Sequence, residues 1–164
     1  MNAELTRNFP VGKGRIGFKV SNYFPVPVGK LWDAITLGRQ MERFFIDKVE
    51  GDFTRHLTPV FFTWKQCGRH AVWPTVFQEG KKLEFRWANG NYRYLTTVTM
   101  RLKKNAHYVE LEIHERGWKP ADLDNAFGNC HGWTMFLDYL KGYLLHGVHL
   151  RTEKLGTTGR RVAA

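Results

Sequence analysis

Apolar and polar positions alternate in two ways along this chain. From Val28 to Phe45 they recur at helical steps, with Val28, Leu31, Trp32 and Ile35 on one face. Pro25 and Pro27 precede that run and close an alternating segment, Gly14–Phe24, that predicts a first strand; Gly38 predicts a break between two short helices. The period then becomes two. VEGDFT (Val49–Thr54), TPVFFTWK (Thr58–Lys65), HAVWPTVF (His70–Phe77), KLEFRW (Lys82–Trp87), YLTTVTMRL (Tyr94–Leu102) and YVELEIHE (Tyr108–Glu115) all predict strands with short turn-like connectors. From Pro120 to His146 the helical period returns. Leu123, Phe127, Cys130, Trp133, Leu137, Leu140 and Leu144 form its stripe, Phe136 and Tyr143 widen it, and Gly147 follows as a C-terminal cap.

The turns predict how the strands pair. Asn89-Gly90 suits a two-residue hairpin, because its turn type needs positive φ at both central residues. That register sets Trp87 against Tyr92, Phe85 against Tyr94 and Leu83 against Thr96. A second two-residue turn at Lys104-Asn105 sets Met100 against Val109 and Tyr94 against Glu115. Both registers gather the large apolar side chains on one face. Lys82, Arg86, Arg93, Arg101 and Lys103 fall on the other, beside Glu110 and Glu112.

An α+β architecture satisfies this order: about seven antiparallel strands in a curved sheet, with the long helix covering its concave side. Alternation places Trp64, Trp73, Phe77, Phe85, Trp87, Tyr94 and Met100 on that side, and Trp133 and Phe136 face them from the helix. They are the expected lining of a ligand-sized cavity. Gly128 and Gly132 are expected to let the helix approach the sheet closely. Glu115 shares the concave face, either as a desolvated carboxylate that orients a ligand or acts as a base, or as a solvated residue at the sheet rim.

The motifs FPVPVGKLWDAIT, FF, VEGDF, FRW (Phe85–Trp87) and HGWTMFLDYLKGYLLHG, in this order, resemble the family of homologues of the activator of heat-shock protein 90 ATPase, within the START-like, helix-grip (SRPBCC) superfamily. The resemblance spans roughly residues 17–150. It implies a seven-stranded helix-grip fold like that of the Bet v allergens, a hydrophobic cavity, and Trp87 and Trp133 directed into it. The eukaryotic co-chaperones of the family carry an additional N-terminal domain, which is not expected within these 164 residues.

Composition narrows the functions. The chain has 164 residues and 15% aromatic content, and a net charge of +10. Much of the charge lies at the ends: residues 1–19 and 151–164 each carry four basic and one acidic side chain. Residues 1–16 and 151–164 are therefore read as basic tails around a domain at 17–150. No nucleic-acid motif is present, so no nucleic-acid partner is expected. No apolar run reaches 18 residues, which argues against membrane insertion and makes a cytoplasmic location the expectation.

Catalytic patterns are sparse. Ser21 is the only serine and lacks a nucleophile elbow. Cys67 lies three residues before His70, with nothing to form an oxyanion hole. His146, His149, Cys130 and His131 do not make up a four-ligand metal pattern. Neither a metal, a cofactor nor a catalytic residue is expected. The leading expectation is a module that binds an apolar, aromatic or lipid-like molecule. A co-chaperone-like protein-interaction domain is the alternative, and a cyclase- or aromatase-type enzyme the third reading.

Overall fold

A computed structural model describes residues 14–88 and 93–151. Strand β1 (Ile16–Phe24) stops before Pro25, and Pro27 in extended conformation starts helix α1 (Val28–Thr36), which buries Leu31, Trp32, Ala34 and Ile35. Leu37 is extended and separates α1 from the short α2 (Gly38–Met41). Gly38 is required there: an added Cβ would lie 2.7 Å from the Gly51 carbonyl oxygen, while the Gly38 N–H is bound by Asp52 at 2.7 Å.

Six strands follow: β2 (Lys48–Glu50), β3 (Val60–Trp64), β4 (Gly68–Gln78), β5 (Lys82–Ala88), β6 (Leu95–Lys104) and β7 (Val109–Trp118). They form one seven-stranded antiparallel sheet in the order β1-β7-β6-β5-β4-β3-β2. Chain neighbours pair by hairpins, and β1 returns to β7. A 3-10 turn (Pro120–Asp122) leads into α3 (Leu123–His146), which lies on the concave face and buries Trp133, Phe136, Leu137, Leu140 and Leu144. Gly147 caps it at φ 64°, with the N–H of Gly147 bound to the Tyr143 carbonyl and that of Val148 to the Gly142 carbonyl. No helix among the described residues is long and apolar enough to cross a membrane.

The strands are where the sequence places them, but the two hairpin registers differ from those expected. Trp87 pairs with Thr96 rather than Tyr92, and Phe85 with Val98 rather than Tyr94. Met100 pairs with Ile113 rather than Val109, and Glu115 with Val98 rather than Tyr94. Each shift is four residues, an even number, so every side chain within the paired strands keeps its face. The β6–β7 turn is longer because Asn105 organises it: its side-chain oxygen accepts the N–H groups of His107 and Tyr108, and its own N–H binds the Tyr108 carbonyl. The Asn89-Gly90 pair lies outside the described residues.

In β4 the face itself changes. The β4–β5 register slips between Pro74 and Val76, so Val72 and Pro74 point inward before the bulge and Phe77 after it. Trp73, expected inside, is therefore 41% exposed. On α3, Leu123 and Phe127 start the apolar stripe but are exposed, and Ala126 is the buried residue of that turn. Close approach does not occur at Gly128 and Gly132, where an added Cβ would meet nothing within 4 Å. It occurs at Gly142, where Leu150 Cδ1 stands 2.7 Å from the same hypothetical atom. The segment after α3 folds back over the helix there and brings Arg151 to the loop before β2, where its guanidinium donates to the Phe45 carbonyl and pairs with Asp47 at 3.2 Å.

Candidate functional site: a cavity between sheet and helix

Between the concave face and α3 lies a cavity of about 620 Å³. Its wall is rich in aromatic rings. Phe45, Trp64, Trp87, Trp133 and Phe136 all line it, and their rings touch in a closed circuit with centroid separations of 6.2, 6.4, 5.5, 5.4 and 5.1 Å in that order back to Phe45. Most of these contacts are edge-to-face or tilted, the arrangements that ring quadrupoles favour. Phe85, Met100 and Phe62 add to the wall from the sheet, Ile35, Met41, Ile46 and Phe53 from α1, α2 and the segments around β2, and Gly132 on α3 leaves open the volume a side chain would occupy.

Behind the two indoles sits Glu115, fully buried on β7. Its Oε1 accepts the Trp87 Nε1–H at 3.0 Å and the Thr96 hydroxyl at 2.6 Å. Its Oε2 accepts the Trp133 Nε1–H at 2.8 Å, and the Asn129 side-chain nitrogen lies 3.3 Å from both oxygens. Burial is the main influence on this carboxyl and raises its pKa, while the four donors act in the opposite direction. An indole N–H can only donate, so each carboxyl oxygen serves as the acceptor of one indole. With its nitrogen committed to Glu115, the Asn129 amide turns its carbonyl oxygen away from the carboxylate, and Asn129 lines the cavity. Burial first, then the Glu115 charge, raise the Cys130 thiol above its ordinary range.

The β3–β4 turn (Gln66, Cys67) and His70 border the same cavity, as does Arg151. His70 Nε2 lies 3.0 Å from the Cys67 carbonyl oxygen, a backbone contact that does not engage the thiol. Among the described residues no group of three or more His, Cys, Asp or Glu is placed to hold a metal ion.

Three residues expected in the wall lie elsewhere. Trp73 is on the convex side. Phe77 packs edge-on against Trp32 of α1, at 5.2 Å. Tyr94 stands before β6 and donates its hydroxyl to Asp122 at 2.9 Å, alongside the Arg93–Asp122 ion pair at 2.6 Å. Arg93 accordingly leaves the convex basic face on which the alternation had placed it. Conversely, Phe45 and Asn129 are wall residues that the alternation does not reveal. Phe45 was legible as half of the Phe44-Phe45 pair, one ring for the core and one for the cavity. Thr96, a hydroxyl at a buried strand position, was the available sign that Glu115 had a partner.

The family model described as Activator of Hsp90 ATPase homolog 1-like protein matches residues 25–145. The chain belongs to this family. Among solved structures it is similar to protein MLL2253 from Mesorhizobium loti, at 19% identity over 78% of this chain and 96% of that one, with a TM-score of 0.71. It is also similar to CalU16 from Micromonospora echinospora, at 19% identity, 91% and 86% coverage and a TM-score of 0.64. The Aha1 dimer from Colwellia psychrerythraea matches at 16% identity, 80% and 97% coverage and a TM-score of 0.69. At these identities the likeness shows the shared helix-grip fold. No curated protein matches in sequence.

Proposed function

We propose that this protein is a small-molecule binding module whose ligand occupies the space between the sheet and α3. The observation that carries the reading is the aromatic cavity itself: about 620 Å³ is the size of ordinary ligand sites, and its wall combines many rings with few polar groups. A core without a guest would be filled by side chains at close to crystal density. Glu115 serves the site by holding Trp87 and Trp133 in fixed orientation, so the wall is formed before a ligand arrives. The ligand-facing set is Trp64, Phe85, Trp87, Met100, Trp133 and Phe136, with Phe45 and Asn129 added.

The test uses an uncharged solvatochromic dye such as Nile red. Its emission should rise with the protein, and tryptophan fluorescence should change in the same titration. Met100→Trp should fill the space and abolish the dye signal while the far-ultraviolet circular dichroism stays native. Undiminished dye binding by that variant, or no binding by the wild type, would remove the support for a binding module.

A further inference from the structure

We infer that the cavity receives a cation, an aromatic or amphipathic molecule whose tertiary or quaternary ammonium group sits within the aromatic belt. This rests on the binding-module reading and names the ligand class for the same site. Three features lead to it. The belt of Phe45, Trp64, Trp87, Trp133 and Phe136 borders one space with five aromatic rings, and indole is the ring that attracts a cation over its face most strongly. Two of its three indoles donate their N–H to the Glu115 carboxylate, which pushes electron density into the rings and deepens the negative potential on their faces.

The second feature is the charge balance around Glu115. Among the described residues its hydrogen-bond partners are Trp87, Thr96, Asn129 and Trp133, none of them basic. Among the described residues, dipoles offset a carboxylate buried in an apolar interior, and a ligand cation in the adjoining cavity would add a counter-charge across the indole layer at low dielectric. Arg151 borders the cavity, but its guanidinium is engaged by the Phe45 carbonyl and Asp47.

The third feature decides the kind of cation. A primary ammonium has three donors to satisfy at once, and the side-chain acceptors along the wall, Asn129, Gln66 and His70, are dispersed among its rings. An alkylated ammonium has one donor or none, and gives up its water more readily than a primary one. It therefore loses least on entering a wall of rings.

The probes are phenyltrimethylammonium, the uncharged tert-butylbenzene of the same shape, and the anion benzenesulfonate, followed by tryptophan quenching and calorimetry. The cation should bind the wild type at least about tenfold more tightly than the hydrocarbon, and the anion most weakly. Glu115→Gln should bring the cation and hydrocarbon affinities together. Trp64→Leu, which leaves the Glu115 hub untouched, should weaken the cation more than the hydrocarbon and keeps the test open if Glu115→Gln does not fold. Equal or tighter binding of the hydrocarbon to the wild type, or no cation binding, overturns the inference. The module reading then stands or falls on Nile red alone.

Discussion

The two faces of the sheet treat carboxylates in opposite ways. On the convex face, Glu84 lies near Lys82 (3.4 Å) and Arg116 (3.3 Å), and Glu112 near Lys103 (2.8 Å) and Lys19 (3.4 Å). Partial burial is the largest single influence on each and opposes ionisation. The hydrogen bonds and cations around them outweigh it together, so both carboxyls fall below the usual range. On the concave face Glu115 has hydrogen bonds but, among the described residues, no cation beside it, and burial prevails. Neutral donors can orient a carboxylate without matching the stabilisation that a nearby positive charge gives its ionised form.

The largest test of this contrast removes each carboxylate. Glu115→Ala leaves the Trp133 N–H and the Thr96 hydroxyl buried without their acceptor, and should cost roughly 3–5 kcal/mol in urea denaturation. Glu112→Ala loosens surface ion pairs and should cost at most about 1 kcal/mol. Equal costs would erase the distinction between the faces.

A core deletion on α3 gives the next comparison. Leu140 is fully buried, and Leu140→Ala should cost roughly 2–5 kcal/mol by leaving a void. It should not alter the pH dependence of stability, whereas a change at Glu115 should. A cost under about 0.5 kcal/mol would mean that α3 is not docked through this stripe.

The pH dependence has opposite signs on the two faces. Glu115 has a folded pKa above its unfolded value near 4.5, so the folded protein holds the extra proton between the two. Its effect is a fall in stability as pH rises from that range through the raised folded value. Glu84 and Glu112 have depressed folded values. Their contribution is complete above the unfolded range and is lost as pH falls through the folded values. Denaturation at several pH values should show both slopes in the wild type. Glu115→Gln should remove the first and keep the second.

The smallest effect belongs to Trp73→Ala. Despite its size this side chain is on the exposed face, so stability should change by no more than about 0.5 kcal/mol and Nile red binding not at all. A loss of dye binding would put Trp73 back in the wall.

Trp73 also shows where sequence reading stops. Alternation identifies a face, and it placed Phe85, Met100, Glu115 and Trp133 correctly inside because their strands and helix run without interruption. It is insensitive to an even slip, which is why two turns assigned separately agreed on registers that were both four residues off. A bulge is different, since one extra residue reverses the parity of everything beyond it. Nothing in HAVWPTVF announces that break except Pro74, which cannot donate to a ladder and sits where the register slips. The Glu115 hub was half legible: the residue and its face could be read, whereas its four donors come from β5, β6 and α3 and meet only in the folded chain.

The contact between Gly142 and Leu150 makes the chain after α3 a gauge of length. Between the αL cap at Gly147 and the anchor at Arg151 the number of residues determines where the guanidinium lands, and that landing point adjoins the cavity. A single insertion or deletion in Val148–Leu150 would displace Arg151 by one residue's reach, roughly 3.3–3.6 Å. A methyl group at position 142 would push the same strap outward without touching the aromatic belt. Engineers seeking to widen or narrow this pocket therefore have a control outside it, on the far side of the helix, that spares every ring in its wall.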